Sequence, residues 1–558
     1  MSSDYDYIVV GAGSAGCILA NRLSQSGKNT VCLLEAGPSD RNPFIHIPAG
    51  FIKTLYNPEI NWMYKAEPSY WTADRIIDVP RGKTLGGSSS INGHIYNRGQ
   101  RMDYNTWSQR GNRGWGYSDV LPYFKRCEER IGTGDDTFRG RAGGLQVTDL
   151  DYEHPLCEAF IAGAMEIGIP KNSDYNGVVQ EGISYVQRTT YKRRRVSAAR
   201  AFLNPAKNRK NLTVKTHAFV TRILLENKVA RGVELREGGR NGRLLKLFAN
   251  KEVIVSGGTI NSPQLLQLSG IGPRGLLKSI GVNVVHELKG VGENLRDHYA
   301  PRFCGRVKGI ETINEQSKGF KFLREVAKYF IGGKSILNLS PSMVYGFWHS
   351  DPIVKSNDIQ FVFAPASYKL GNHGLLADHP GFTVAAWQHR PDSKGWVRAR
   401  SSDPFEKPII QPNYLSEETD RAVTIKAMKL ARSLMHTASM QPYFDGEEYP
   451  GASIKSDEEL LDAARHWGST TYHVMGTCRM GPDSDVTAVV DNNLRVKGIE
   501  GLRVIDASIM PTMLSANLNA GAMMIGEKGA DLVMIRQSQS FSTKLNNHSL
   551  VWFNNLIA

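Results

Sequence analysis

The sequence predicts an α/β fold with an α+β part: a Rossmann-like nucleotide-binding domain, discontinuous in sequence, joined to a second domain on a mixed or antiparallel sheet. Three observations carry that reading. The apolar run Tyr5 to Val10 ends on Gly11-Ala-Gly13-Ser-Ala-Gly16, after which Ile18, Leu19 and Leu23 keep helical spacing as far as Ser26. A second apolar run, Thr30 to Leu34, follows Gly27 and ends on Glu35, which completes a parallel βαβ unit. Far downstream, Lys251-Glu-Val-Ile-Val-Ser256 meets Gly257-Gly258, and Leu502-Arg-Val-Ile-Asp506 repeats the strand pattern.

Each element follows from its residues. Pro38 to Gly99 is rich in Pro, Gly and Asn, and irregular chain of that length in a folded protein is usually functional. Ser262 to Leu268 predict a helix with Pro263 at its first position, where the missing N–H costs nothing. Ala520 to Ile535 predict another. Gly381-Phe-Thr-Val-Ala-Ala-Trp387 predicts a strand of the second sheet. From about Gln537 the chain turns polar and rich in Asn and Ser, so 537–558 read as a tail.

Bulk properties remove several function classes. At 558 residues the chain is long enough for two joined domains, and 41% hydrophobic with 22% charged residues is ordinary globular composition. No run approaches the roughly 18 to 20 apolar residues that span a bilayer. The first strand begins by Tyr5, which leaves no room for a signal peptide, so a cytoplasmic location is expected. The six cysteines form no CxxC pair, so no metal site is expected and the thiols read as buried and reduced. The net charge of +14 is spread along the chain; Lys192-Arg-Arg-Arg195 is the dense run, either an anion contact or a solvated face. No recognition-helix or aromatic-interleaved motif accompanies it, so nucleic acid is not an expected partner. A peripheral membrane contact is compatible with the charge, but no motif indicates one.

The glycine turn has a physical purpose. Gly11 permits the tight turn, Gly13 lets a pyrophosphate approach the backbone, and Gly16 lets helix and strand pack closely. Glu35, nineteen residues beyond Gly16, sits where a carboxylate meets ribose hydroxyls, and it disfavours a 2'-phosphate and hence NADP. These features alone do not separate FAD from NAD.

Four segments narrow the ligand: the N-terminal unit, Pro80-Arg-Gly-Lys-Thr-Leu-Gly-Gly-Ser-Ser-Ser-Ile-Asn-Gly93, Gly258-Thr-Ile-Asn-Ser-Pro-Gln-Leu-Leu-Gln-Leu-Ser-Gly-Ile-Gly-Pro273, and a C-terminal pair. That pair is Tyr472-His-Val-Met-Gly-Thr-Cys-Arg-Met-Gly481 and Pro511-Thr-Met-Leu-Ser-Ala-Asn-Leu-Asn-Ala520. Ser197-Ala-Ala-Arg-Ala-Phe-Leu203 and Gly290-Val-Gly-Glu-Asn-Leu-Arg-Asp-His298 support them. Along nearly its whole length the chain resembles the glucose-methanol-choline (GMC) oxidoreductases, and most the bacterial choline and alcohol dehydrogenase-like members.

The resemblance implies an FAD-dependent enzyme that oxidises an alcohol. It implies an FAD-binding domain from 1–99, 211–300 and 485–536 and a substrate-binding domain from 100–210 and 301–484. His473 is the implied general base, in a segment where Val474 replaces the usual Pro. Asn517 aligns with the second catalytic position, with Asn519 as a rival register. The implied cofactor contacts are Gly11, Gly13, Ser14, Ala15, Gly16, Glu35, Ala36, Arg81, Leu85, Gly86, Gly87, Ser88, Asn92, Gly93, Val220, Gly257, Asp506, Ala507 and Asn519. Ile91 stands where some members carry a flavin-linking histidine, so noncovalent FAD is expected. His94 and His298 match no catalytic position and are left structural. A quinone or other non-oxygen acceptor is expected; an oxidase making hydrogen peroxide is the alternative, and a lyase or photodecarboxylase of the same fold a more distant one. The alcohol and the oligomeric state stay open.

Overall fold

A computed structural model describes residues 4–369 and 375–535, so the tail expected at 537–558 lies outside the described residues. In chain order, the strands of the two main sheets are β1 (Asp4–Val10), β2 (Val31–Leu34), β3 (Gly182–Tyr185), β4 (Leu212–Lys215), β5 (Ala218–Glu226), β6 (Val229–Glu237), β7 (Arg243–Val255), β8 (Arg302–Val307), β9 (Val344–Trp348), β10 (Ile359–Ala364), β11 (Gly381–Gln388), β12 (Phe444–Tyr449) and β13 (Leu502–Val504). The helices that matter here are α1 (Ser14–Ser24), α2 (Pro155–Glu166), α3 (Gly258–Leu268), α4 (Gly319–Ile331), α5 (Glu418–Met435) and α6 (518–535).

The first sheet runs β4–β2–β1–β7–β6–β5, with β13 also paired to β7. Pairs β1–β2, β2–β4, β1–β7 and β7–β13 are parallel, which is the Rossmann-like arrangement expected. Strand β7 shows how pattern follows pairing. Its first half, Arg243 to Phe248, pairs antiparallel with β6 and mixes exposed with buried residues, whereas its last three residues lie between the parallel strands β1 and β13 and are all buried.

The second sheet runs β12–β8–β11–β10–β9–β3, and every pair in it is antiparallel. Strand β11 is buried along its whole length, so both faces are covered. One face sends Phe303, Phe361, Phe363, Phe382 and Val384 into a core shared with Phe160 of α2 and Leu434 of α5. The Phe160 and Phe363 rings stack at 4.3 Å. The other face carries Tyr345, Val362, Ala364, Thr383, Ala385 and Trp387, which line a cavity.

One expected boundary moves. The helix expected to start at Ser262 starts at Gly258, so Pro263 lies inside α3 rather than at its first position. Pro263 cannot donate to the carbonyl four residues back, that of Thr259. Thr477 Oγ1 donates to that carbonyl instead, at 2.5 Å, so a side chain from a distant segment satisfies the acceptor. Trp107, Trp115 and Phe124, from the stretch expected on the substrate side, pack into the core of the first sheet. All six cysteines are free and buried, as expected. Among the described residues no helix is long and apolar enough to cross a membrane.

Candidate active site

At the end of β1 the chain must turn sharply, and Gly11 does so with φ +103°; a Cβ there would lie 2.4 Å from the Ser256 carbonyl oxygen. A Cβ on Gly16 would lie 1.9 Å from the Gly11 oxygen, so Gly16 serves helix–strand packing and does not face the cavity. Gly13 differs: a Cβ there would meet nothing within 4 Å. Gly13 is also the N-cap of α1, with no side-chain cap hydrogen bond and no acidic residue in the first turn. The leading amides of α1 are thus left for a ligand anion, which is what a dinucleotide pyrophosphate requires.

A cavity of about 410 Å³ begins here. It is lined by Gly11, Gly13, Ser14 and Ala15, by Glu35 and Ala36 after β2, and by Arg81, Gly87, Ser88, Asn92 and Gly93 of the irregular segment. Val220, Gly257, Asp506, Ala507 and Asn519 line it too, and so do His473 and Asn517. Three expected contacts do not: Gly16, Leu85 and Gly86. Leu85 and Gly86 hold the loop in place, their amides donating to Pro38 and Ala12 carbonyls at 3.2 and 2.7 Å.

The carboxylates at the nucleotide end are fixed by backbone donors. Glu35 accepts from the Ala12 and Gly37 amides at 3.0 and 2.9 Å, and burial pushes its carboxyl up to about 7. Asp506 accepts from the Gly258 and Ser508 amides and from Ser262 Oγ. Ser14 Oγ donates to Asn519 Oδ1 at 2.7 Å, tying the first turn to the start of α6. Asn519 is therefore held against the first turn of α1, whereas Asn517 sits against His473. The basic run at 192–195 is split as well: Arg195 is buried and donates to Asn92 Oδ1 at 2.7 Å, so this member supports the cofactor loop.

At the other end, His473 follows Tyr472, whose φ of +70° is unusual for a bulky residue. Two bonds hold that backbone: Arg81 Nη2 donates to the Tyr472 carbonyl at 2.5 Å, and the Tyr472 amide donates to Thr470 Oγ1 at 2.7 Å. The His473 amide donates to Asp297 Oδ1 at 2.7 Å, and buried Asp297 is held by the Tyr414 hydroxyl and by Thr470.

The ring of His473 makes three contacts that fix its tautomer. His298 Nε2 lies 2.8 Å from the His389 carbonyl, which can only accept, so Nε2 carries hydrogen. Burial lowers His298 to about 4, so the ring is neutral and its Nδ1 is a bare acceptor. His473 Nδ1 lies 2.9 Å from that atom and must hold the proton between them. Thr471 Oγ1, 2.8 Å from the same nitrogen, shares that hydrogen. The other nitrogen, Nε2, is left as a lone pair 2.9 Å from Asn517 Nδ2. Tyr345 Oη donates to Asn517 Oδ1 at 2.9 Å, so the amide presents its N–H₂ to His473. Burial, the largest cause, together with the nearby Arg81 charge, drives His473 well below 6.5, so the ring is neutral with its lone pair at Nε2.

Sequence reasoning missed His298 and Tyr345. Neither lies in a segment read as catalytic: His298 ends the Gly290–His298 match, and Tyr345 reads as an ordinary strand residue. Asn517 immediately precedes α6, the N-cap position, yet its side chain is committed to His473 and Tyr345. Val474, in place of the usual Pro, is buried, and its carbonyl accepts from Thr259 Oγ1 at 2.9 Å.

Comparison with known proteins identifies the family. The GMC oxidoreductase N-terminal profile matches residues 5–300 and the C-terminal profile residues 391–526. The chain is 39% identical over 543 residues to the oxygen-dependent choline dehydrogenase of Photobacterium profundum, covering 96% of this chain and 94% of that one. It is 41% identical to the mitochondrial choline dehydrogenase of Homo sapiens over 95% and 90% of the two chains. It is 38% identical to an alcohol dehydrogenase (acceptor) of Pseudomonas putida, over 95% and 96%. Among solved structures, a pyridoxine 4-oxidase from Mesorbium loti superposes with TM-score 0.85 at 30% identity over 94% and 98% of the chains. A formate oxidase of Aspergillus oryzae RIB40, studied for its FAD modification, superposes with TM-score 0.88 at 25% identity over 97% and 100%. The chain belongs to the GMC oxidoreductase family and is an FAD-dependent oxidoreductase acting on CH–OH groups.

Proposed function

We propose that this protein oxidises a small alcohol to an aldehyde or ketone, with His473 as general base, Asn517 orienting the substrate oxygen, noncovalently held FAD, and a quinone or other non-oxygen electron acceptor. The observation that carries the reading is the tautomer of His473. A neutral imidazole lining the cavity, its Nε2 lone pair shared with an amide donor that a hydroxyl oxygen can also use, is what abstraction of a hydroxyl proton needs.

Bound FAD supplies the hydride acceptor. An alcohol is too weak an acid to lose its proton unaided at neutral pH, and a positioned base is worth about 10² to 10⁴ in rate. His473 Nε2 takes that proton while Asn517 Nδ2–H₂ holds the same oxygen. The proton already on Nδ1 is shared with His298 Nδ1 and Thr471 Oγ1, so the imidazolium that forms keeps its partners. Leu518 and Asn519, in the first turn of α6, line the cavity, and the positive end of that helix suits negative charge gathering there.

The remaining assignments extend the same reading. The cofactor is held by 1–99, 211–300 and 485–536, and the substrate by 100–210 and 301–484. Noncovalent attachment is supported by Ile91, which lines the cavity with a hydrocarbon side chain. The non-oxygen acceptor rests on the motif resemblance alone, since the relatives include both an alcohol dehydrogenase (acceptor) and oxygen-dependent choline dehydrogenases. His473→Ala should keep its flavin and lose at least about 10²-fold in anaerobic bleaching by alcohol; near-normal bleaching would move the base elsewhere. Acid precipitation should leave flavin in the supernatant, and a yellow pellet would refute noncovalent attachment. Stoichiometric hydrogen peroxide at each turnover would refute the acceptor.

A further inference from the structure

Two observations outside the proton-transfer machinery each carry an inference. The first concerns the substrate and rests on the reading of alcohol oxidation above. Arg302 on β8 pairs with Ala385 on β11, Ala385 with Val362 on β10, and Val362 with Tyr345 on β9. Residues opposite one another across strands share a face, so these four side chains form one row, and all four line the cavity. The row starts at Tyr345, which holds Asn517, and ends at Arg302 three strand spacings away, about 14 Å between backbones.

The charges along this floor are one-sided. Its other lining residues include Ala364, Thr383 and Trp387, and none is acidic. The carboxylates that line the cavity, Glu35 and Asp506, belong to the nucleotide end and are engaged by backbone amides. Arg81 commits Nε and Nη2 to the Pro80 and Tyr472 carbonyls, which fixes its guanidinium against the backbone that precedes His473. The Arg302 guanidinium, half-buried, makes no hydrogen bond or ion pair among the described residues. We propose that the substrate is an alcohol carrying a carboxylate, with its carbinol between His473 and Asn517 and its anion on Arg302, rather than a quaternary ammonium alcohol such as choline. A guanidinium is the side chain that matches a carboxylate bidentately, and no carboxylate on this floor pairs with a cation, which leaves only the rings of Tyr345 and Trp387 to face one.

The test uses the holoenzyme and two readouts. Anaerobic flavin reduction is measured with 4-(hydroxymethyl)benzoate, benzyl alcohol and choline, and benzoate binding is measured by calorimetry. The carboxylated alcohol should exceed benzyl alcohol in kcat/KM about tenfold or more, with choline last. Arg302→Met should collapse that ratio and weaken benzoate about 10- to 100-fold, while Arg302→Lys keeps an intermediate preference. Choline as the best substrate, or benzoate binding indifferent to Arg302, overturns the proposal; the wild-type ratios decide even if a variant fails to fold. If no alcohol bleaches the flavin while benzoate binding still depends on Arg302, alcohol oxidation fails and the anion site stands.

The second inference concerns α4. Phe320, Leu323, Phe330 and Ile331 are 82%, 62%, 73% and 83% exposed, and with Ala327 they fall on one side of the helix. The buried residues of α4, Glu325 and Tyr329, lie on the opposite side. Cations flank the apolar stripe: Lys321, Arg324, Lys328 and Lys334 from the helix and its end, and Lys192, Arg193 and Arg194 from the basic run. Arg193 Nη1 donates to the Tyr329 carbonyl and the Tyr329 hydroxyl donates to the Arg193 carbonyl, which fixes the run against α4. The acids here are Glu325, paired with Lys328, and Glu311, near Lys321.

We infer that this face docks on an anionic bilayer surface, with the apolar stripe at the headgroup boundary and the cations on lipid phosphates. An exposed apolar stripe bordered by Lys and Arg matches an interfacial helix, and the charge complementarity selects anionic lipid. Such docking also places the enzyme beside lipid-soluble quinones. Holoenzyme should pellet with phosphatidylcholine vesicles containing 30% phosphatidylglycerol at least fivefold more than with phosphatidylcholine alone, and less in high salt. Phe320→Ser with Ile331→Ser should abolish pelleting while leaving alcohol-dependent reduction of a soluble dye unchanged. Equal pelleting by these variants overturns the proposal. So does a stable dimer in sedimentation velocity that the variants dissociate, which would make the face a contact between copies.

Discussion

His298 Nε2 gives its hydrogen to a backbone carbonyl, and the protonation of His473 follows from that one bond. If His473 is the base proposed above, His298 is a positioning residue: it receives the Nδ1 hydrogen of His473 and leaves Nε2 an acceptor beside Asn517 Nδ2. His298→Ala should lower kcat by about 10- to 100-fold, the usual penalty for removing a partner that orients a functional imidazole, and His298→Asn should recover part of it by accepting at Oδ1. The pH profile tests the same arrangement. Because a base at His473 must be neutral to act and burial holds its pKa well below 6.5, the proposed role predicts that activity is lost only as pH falls through that lowered value. A kcat/KM acid limb at or above 6.5 in a variant-free enzyme would contradict this. His473 and Asn517 were legible from their motifs, but His298 was not, because a histidine's partners across 175 residues of chain leave no local pattern.

Elements are joined in this protein by exchanged backbone partners. Pro263 deprives the Thr259 carbonyl of its helical donor, Thr477 Oγ1 replaces it, and Thr259 Oγ1 in turn donates to the Val474 carbonyl. Helix α3 and the His473 segment are therefore locked together on both sides. Thr477→Val should cost about 1 to 3 kcal/mol by leaving a buried carbonyl unpaired, and Thr477→Ser should cost much less. Chemical unfolding of the holoenzyme measures both; equal stability of Thr477→Val and the parent would refute the exchange. Reading Pro263 as a helix start was sound local chemistry. It failed because the compensating donor comes from a segment more than two hundred residues away, which no window around the proline contains.

At the scale of the molecule, the cavity lies against both sheets and gathers residues from the two ends of the chain, as the Ser14–Asn519 bond shows. FAD therefore binds surfaces that exist together only when the chain is folded. Removing it should lower the unfolding temperature, and re-adding it at a hundredfold excess over Kd should restore about 2.7 kcal/mol. Calorimetric scans of apo- and reconstituted protein test this, and coincident transitions would refute it. By itself the sequence determined the βαβ unit and its glycine turn, Glu35, the cofactor class and the two side chains proposed for catalysis, because each rests on short-range spacing or a contiguous motif. Only the tertiary structure decided that the second sheet is antiparallel throughout, that Asn519 is bonded to Ser14, which nitrogen of His473 carries the hydrogen, and that Arg302 ends the row that begins at Tyr345. Those properties belong to register between strands and to hydrogen bonds between segments, which the chain specifies only once it has folded.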